Sequence, residues 1–231
     1  MLPLRDNVPT RSRPVVTWAL ILANVLVWVL YQLPNLQGSV DELAFHPCEV
    51  ESSCPTIGQG WLLTALTSMF LHGSWAHLLG NMLFLWIFGN NVEDALGRVR
   101  FLLFYLAGGL AATAAQTFVT LSYATDADAA IPNVGASGAI SAVLGGYLVL
   151  LPGAKVLTLI VFILREIPAA FFLLAWFGFQ LLDGSAAIAH PEKGGGVAFF
   201  AHVGGFAAGA LAGGFARMHA RSRRDYWHGA L

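Results

Sequence analysis

The sequence predicts an all-α membrane protein, a bundle of six transmembrane helices with both termini in the cytoplasm. Of its 231 residues, 57% are hydrophobic and only 11% are charged, whereas globular domains carry about 25% charged residues. Apolar segments recur along the chain, and most charged residues lie between them. The net charge of −1 gives no reason to expect nucleic acid as a partner.

Six apolar segments are interpreted as membrane spans. In chain order they cover residues 15–33, 74–90, 99–120, 137–151, 167–182 and 197–216. We divide the chain into a short cytoplasmic tail (1–14), a six-span domain (15–217) and a basic cytoplasmic tail (218–231). Two more apolar segments are expected outside the spans. Residues 61–70 form an interfacial or re-entrant part of the first loop, and 156–164 lie near the surface because charged residues follow them.

The distribution of positive charge predicts the orientation, since Lys and Arg favour the cytoplasmic side. With six spans, both termini and two connections share one side, which holds 11 of the 12 Lys and Arg residues; only Lys193 lies opposite. Cys48 and Cys54 then face the outside, where either a disulfide or two free thiols is expected. Together with His46 they are too few ligands for a metal site. The short tails and the lack of a transit peptide suit a multi-pass protein of a prokaryotic plasma membrane.

A serine between glycines marks the start of the fourth span. In Gly135-Ala136-Ser137-Gly138, the preceding loop and Gly135 disfavour a helix that begins well before Ser137. From Ser137 to Pro152 there are 16 residues, or roughly 24 Å of helix, which is shorter than a bilayer core of about 30 Å. We therefore expect Ser137 to lie several ångströms below the membrane surface. A backbone break at that depth is tolerated only beside protein or a water-filled cavity.

Four polar residues are expected at a similar depth, in the outer third of the membrane. His77 and Asn81 are spaced i and i+4 near the start of the second span, so they share one helical face. Ser137 begins the fourth span, and His202 lies near the start of the sixth. Strongly polar groups within a membrane are rare and usually functional.

Small residues recur every four positions in the fourth and sixth spans, a pattern that lets helix backbones approach closely in lipid. They are Ser137, Ser141 and Gly145 in one, and Ala201, Gly205, Gly209 and Gly213 in the other. Close contact between these spans would bring the Ser137 hydroxyl within hydrogen-bonding reach of the His202 imidazole. A weak nucleophile is activated by an adjacent base in this way.

Each feature also has a purely structural interpretation. Taken alone, the glycine-serine segment is more typical of a helix-packing seam, and His77, Asn81 and His202 are equally typical of hydrogen bonds between helices. His72 is interpreted as a structural loop histidine. The remaining histidines lie in loops or tails and are interpreted as solvated, namely His46, His190, His219 and His228.

Three motifs in order make the sequence resemble the rhomboid family of intramembrane serine proteases over nearly its whole length. They are Phe70-Leu71-His72-Gly73-Ser74-Trp75-Ala76-His77-Leu78-Leu79-Gly80-Asn81-Met82, Gly135-Ala136-Ser137-Gly138 and Ala201-His202-Val203-Gly204-Gly205, beside a family-like turn at Glu93-Asp94-Ala95-Leu96-Gly97-Arg98. The resemblance implies a six-helix bundle that cleaves transmembrane protein substrates without metal or cofactor. It makes Ser137 the nucleophile and His202 the general base, with Asn81, His77 and the Ser137 backbone N–H as the oxyanion hole.

Two positions depart from the family pattern. The first loop lacks the Trp-Arg pair of many members and reads Trp61-Leu62-Leu63-Thr64, which affects how the loop is anchored. Ser141 stands where some members have a tyrosine against the histidine, which affects how His202 is positioned. The outer halves of spans two, four and six contain no carboxylate that could complete a Ser–His–Asp triad. Asp183, at the outer end of span five, is a poor candidate for that role, so a Ser–His dyad is expected.

The sequence is also compatible with other functions. A non-catalytic rhomboid-like protein that binds or retains membrane clients is the main alternative, although such relatives usually lack the serine or the histidine. A proton-coupled transporter is disfavoured because no inverted repeat is visible. The expected partners are transmembrane protein substrates with helix-weakening residues, and membrane lipid. The glycine-rich loop at about 183–196 is a candidate cap over the site.

Overall fold

The computed structural model describes residues 2–54, 59–189 and 198–219, without the side chains of 187–189 and 219. Helices dominate it. They are α1 (Val15–Leu26, continued as a π-helix over Val27–Gln32), α2 (Leu36–Leu43), α3 (Trp61–Thr67, continued as a 3₁₀ turn over Ser68–Phe70), α4 (Trp75–Phe84, continued as a π-helix over Leu85–Gly89), α5 (Asn90–Leu96), α6 (Arg98–Tyr123), α7 (Asp126–Ala129), α8 (Ser137–Leu150), α9 (Ala169–Ala189) and α10 (Phe199–His219).

Four helical segments within the described residues are long and apolar enough to cross a membrane: Val15–Gln32, Arg98–Tyr123, Ala169–Ala186 and Phe199–Met218. Their outward side chains are large and hydrophobic; Leu211, for example, is 78% exposed. The chain is therefore a membrane protein. The second predicted span corresponds to α4 and α5, which carry His77 and several asparagines. The fourth corresponds to α8, which is a shorter apolar helix. The count of six spans stays a prediction.

The all-α prediction is wrong at one end of the bundle, where a three-stranded antiparallel sheet lies. Its strands are β1 (Leu2–Asp6), β2 (Lys155–Ile160) and β3 (Ile163–Pro168), in the order β1-β2-β3. Pro3 pairs with Thr158, and Lys155 pairs with Pro168. The apolar segment predicted near the surface is thus a hairpin, rich in the branched residues that strands favour. Residues 1–14, predicted to be a tail, include β1.

The sheet is tied to the helices by buried side chains at the end of α8 remote from Ser137. The Asp6 carboxylate accepts hydrogen bonds from the Tyr147 hydroxyl at 2.7 Å and from the Asn91 amide at 2.5 Å. Nearby, the Glu93 carboxylate of α5 accepts from the backbone N–H groups of Val16 and Thr17, in the first turn of α1. It thereby satisfies donors that the first turn of a helix leaves without intrahelical partners.

Helix α8 lies at the centre of the bundle, and every residue from Gly138 to Tyr147 is buried. It packs most closely against α10, as the small-residue stripes predicted. A Cβ atom added at Gly145 would lie 2.0 Å from the Phe206 carbonyl oxygen, and one at Gly209 would lie 1.9 Å from that of Ala142. Only glycine fits at these two positions, because the two backbones are in direct contact.

The first loop folds over the loop that precedes α8. Cys48 and Cys54 form a disulfide and are not two free thiols. Phe45 pairs with Asn133 through two backbone hydrogen bonds. The candidate cap is not a loop over residues 183–189, which are helical and belong to α9. Its residues 190–196, and residues 220–231 of the basic tail, lie outside the described residues.

Candidate active site

Ser137 is the first residue of α8, and the loop before it is held by neighbouring segments. The Gly135 N–H donates to the Ser68 carbonyl oxygen at 2.9 Å, so the segment that follows α3 supports this loop. Gly135 has a φ of +128°, a conformation that favours glycine. A Cβ atom there would also lie 2.8 Å from the His77 ring. Gly135 is therefore needed both for the turn into α8 and for the histidine beside it.

His202 lies in the first turn of α10, opposite Ser137. Its Nε2 is 2.8 Å from the Ser137 Oγ, so the predicted hydrogen bond is present. The close packing of α8 and α10 produces this contact: a Cβ at Gly205, three residues after His202, would lie 2.2 Å from the Gly138 carbonyl oxygen. Both side chains are half-buried.

A third side chain, which was not predicted from the sequence, contacts the imidazole from α9. The Gln180 Oε1 is 2.7 Å from the His202 Nδ1. One turn earlier, the Trp176 ring lies 5.9 Å from the imidazole, centroid to centroid. In the sequence, Gln180 is distinguished only as the lone amide in the otherwise apolar stretch from Ala169 to Leu182. Asp183, the carboxylate considered from sequence, is exposed and is not hydrogen-bonded to His202.

His77 and Asn81 lie on one face of α4, as their spacing predicted, and both line the same cavity as Ser137. The Ser74 hydroxyl caps α4 by accepting from the His77 N–H at 3.1 Å. The Asn81 Nδ2 is 3.0 Å from the Nε2 of His72, a fully buried side chain. His72 is thus structural, as predicted, and its role is to hold Asn81.

His72 is itself held from α1. The Gln32 side chain donates to the His72 carbonyl oxygen at 3.0 Å and accepts from its N–H at 2.8 Å. This pair of hydrogen bonds fixes the backbone of the segment that leads into α4. Gln32, at the end of the first span, was not predicted to support the site.

The groups described above surround one cavity of about 500 Å³. Its polar lining side chains include Ser137, His202, His77, Asn81 and Gln180. No charged residue lines it in the described part of the chain, and no cluster of three or more metal-ligating side chains occurs among the described residues. The arrangement offers a hydroxyl beside an imidazole, with amide and imidazole donors across the cavity.

Comparison with known proteins identifies the fold that carries this site. The family model described as Rhomboid domain matches residues 59–219, which is well over half of the chain. The chain belongs to the rhomboid family. The matched region begins just before α3 and includes Ser137, His202, His77 and Asn81.

Individual rhomboid relatives come from bacteria and mitochondria. The chain is 35% identical over 137 residues to Rhomboid protease GluP of Bacillus subtilis, covering 59% of this chain and 25% of that protein. It is 33% identical over 199 residues to Rhomboid protein 1, mitochondrial, of Saccharomyces cerevisiae, covering 85% and 51%. It is 30% identical over 137 residues to human Presenilin-associated rhomboid-like protein, mitochondrial, covering 59% and 33%. The chain thus spans about a quarter to a half of the length of these curated relatives.

The structure shows the consequence of one departure from the rhomboid pattern, the serine at position 141. Ser141, in the position where some members have a tyrosine, turns its hydroxyl back to the Ser137 carbonyl oxygen at 2.6 Å. It therefore does not contact His202 as that tyrosine would. Trp176 and Gln180 of α9 contact the imidazole instead.

Proposed function

We propose that this rhomboid is an intramembrane serine endopeptidase that cleaves transmembrane segments of membrane proteins near the extracytoplasmic face, by a Ser–His dyad through an acyl-enzyme. The observation that carries the proposal is the 2.8 Å contact between the Ser137 Oγ and the His202 Nε2 in an open, half-buried cavity. The relative GluP of Bacillus subtilis is named a rhomboid protease, which supports the same chemistry.

In the proposed acylation, Ser137 Oγ attacks the scissile carbonyl carbon while the His202 Nε2 takes the hydroxyl proton. Collapse of the tetrahedral intermediate breaks the C–N bond, and the imidazolium gives its proton to the leaving amine. A water molecule then attacks the ester while His202 accepts its proton. As the ester C–O bond breaks, the imidazolium returns that proton to the Ser137 Oγ, and the N-terminal fragment leaves with a new terminal carboxyl group. No cofactor or metal takes part.

The developing oxyanion has donors on the opposite side of the cavity. Asn81 Nδ2 carries two hydrogens, and one is directed at His72, which leaves the second for the substrate oxygen. His77 and the backbone N–H of Ser137, at the positive end of α8, complete the set. Loss of one such donor typically lowers the rate by about 100- to 1000-fold.

The same proposal includes the topology inferred from charge. Six spans with both termini in the cytoplasm place Ser137 a few ångströms below the outer surface, where water enters the cavity. Because a helical substrate hydrogen-bonds its own carbonyls, the cleaved segment must unwind, which favours substrates with Gly or Pro near that face. We place the protein in a prokaryotic plasma membrane; the mitochondrial relatives make an organellar membrane the competing location.

The test uses the full-length protein reconstituted with a single-span substrate in liposomes. Wild type should cleave the substrate, and Ser137→Ala and His202→Ala should not, while all three retain the same thermal unfolding temperature. Asp183→Asn, at an exposed carboxylate outside the dyad, serves as the matched control and should cleave normally. Cleavage by Ser137→Ala would defeat the proposal. Substrate binding without cleavage by the wild type would favour the non-catalytic alternative.

A further inference from the structure

The imidazole of His202 is held at both ring nitrogens by side chains from two other helices. Nε2 contacts the Ser137 Oγ of α8 at 2.8 Å, and Nδ1 contacts the Gln180 Oε1 of α9 at 2.7 Å. Both distances lie within the ordinary range for strong neutral hydrogen bonds. The hydrogen-bonded series of nucleophile, base and amide therefore joins three helices within one cavity.

The identity of the Gln180 atom decides which nitrogen carries the proton. A carbonyl oxygen only accepts, so a hydrogen bond to it requires a proton on Nδ1. In a neutral imidazole Nε2 is then unprotonated and can accept the Ser137 hydroxyl hydrogen. The opposite tautomer would present an N–H to the serine and could not act as its base. Histidines in hydrolytic triads depend on a third group for this choice.

We propose that Gln180 is a positioning residue that selects the Nδ1–H tautomer of His202 and holds the ring toward Ser137. The inference rests on the proposed function and extends its dyad to a Ser–His–Gln unit. When His202 takes the serine proton, both ring nitrogens donate, and the amide oxygen keeps its hydrogen bond to Nδ1. No rearrangement is needed between the two protonation states.

An amide suits this place better than a carboxylate. Gln180 is half-buried in an apolar helix, where an ionised group carries a large desolvation cost unless a partner neutralises it. A neutral amide accepts the same hydrogen bond without that cost. The nearby carboxylate, Asp183, lies one turn further along and is exposed.

A second contact from the same face of α9 supports the assignment. Trp176 and Gln180 are spaced i and i+4, so both project from one face of the helix. The Trp176 ring lies 5.9 Å from the imidazole at an interplanar angle of 39°. The tryptophan restricts rotation of the ring, while the amide selects its tautomer.

The test combines three substitutions with a spectroscopic measurement. Gln180→Met removes the acceptor at similar length, Gln180→Asn retracts the amide by one methylene, and Gln180→Glu retains an acceptor oxygen. Met and Asn should each lower kcat on the order of 10- to 100-fold, with KM changed by less than about twofold. Gln180→Glu should recover most of the rate. Asp183→Asn is the matched control on the same helix and should match the wild type.

A purely structural role for Gln180 would not alter the tautomer, so ¹⁵N NMR of histidine-labelled protein separates the two. The His202 signals, assigned by their absence from His202→Ala, should show a protonated Nδ1 and a bare Nε2 in the wild type. A wild-type spectrum with a bare Nδ1 overturns the proposal whatever the variants do. So does a folded Met or Asn variant with wild-type kcat. Cleavage that survives Ser137→Ala instead defeats the proposed function itself, so the two failures are distinguishable.

Discussion

Replacement of Gly205 by alanine inserts a methyl group between α8 and α10, beside the candidate dyad. The added Cβ would lie 2.2 Å from the Gly138 carbonyl oxygen, whereas ordinary contact begins at 3.4 Å. The two backbones must therefore separate by about 1.2 Å. Neither side can yield by a side-chain rotation, because the atom that obstructs the methyl group belongs to the backbone.

A separation of that size would break the proposed catalytic contact. Gly138 directly follows Ser137, and Gly205 lies one turn after His202, so the displacement acts on both residues. A Ser137–His202 distance of 2.8 Å would grow to about 4 Å, beyond hydrogen-bonding range. Misplacement by about 1 Å can cost on the order of 100-fold in rate, and we expect at least that loss in kcat. Overpacking should also destabilise the fold by about 1–3 kcal/mol.

The assay measures cleavage of the reconstituted single-span substrate, together with thermal unfolding of each variant. Gly214→Ala is the matched control: it is the same substitution on the same helix, but its Cβ would meet only a Val149 side-chain atom at 3.9 Å. Alanine is also the better helix former by about 1 kcal/mol, so this variant should be active and at least as stable. A folded Gly205→Ala variant with wild-type kcat would refute the reasoning, as would an equal loss in both variants.

Three further predictions concern the loop and the sheet end. Gly135→Ala should lower kcat more than tenfold and destabilise the protein by more than about 1 kcal/mol, because the φ of +128° is strained for alanine and the Cβ would press on the His77 ring; unchanged kinetics and melting would contradict this. Glu93→Gln should cost about 2 to 3 kcal/mol of unfolding free energy, because one of the two oxygens that accept from Val16 and Thr17 is replaced by an NH₂ group, which can only donate. A denaturant titration that shows no change would refute the capping role. Burial raises the pKa of the Asp6 carboxyl above its ordinary value of 3.8, so the folded state binds this proton more readily than the unfolded chain does. The stability that this proton contributes is fully present below pH 3.8 and is lost as pH rises through the folded pKa. The unfolding free energy of the wild type relative to Asp6→Asn should therefore fall as pH rises above 3.8, and thermal melts that show a rise instead would count against it.

Local patterns in the sequence were enough to predict the part of the site that depends on helix packing. The small residues at four-residue spacing mark the faces of α8 and α10 that meet, and the serine and histidine lie at corresponding ends of those faces. The spacing of His77 and Asn81 likewise places both on one side of α4. These predictions succeeded because each rests on helical periodicity, which a single segment reveals.

The three-stranded sheet and the contact of Gln180 with His202 could not be predicted from helical periodicity. Strand β1 pairs with a hairpin about 150 residues later in the chain, and no periodicity within either segment indicates that pairing. Gln180 was not predicted as a partner of His202, because the third group of a catalytic triad is usually a carboxylate. An amide in an apolar helix is a weaker signal than a charge, although it costs less to bury and forms the same hydrogen bond.

Neutral amides lie behind two residues of the candidate site, Asn81 and His202. Gln32 holds the backbone of the buried histidine that contacts Asn81. Gln116 of α6 accepts at 3.1 Å from the backbone N–H of the residue before His202, and Gln180 contacts the imidazole itself. An amide can donate and accept at once, so it fixes an orientation that a single charge does not. In a cavity whose described lining carries no charged residue, this support avoids the desolvation cost that ionised groups would carry within the membrane. The donors and acceptors can then be preorganised before a substrate arrives, which is the condition for stabilising charge that develops only in the transition state.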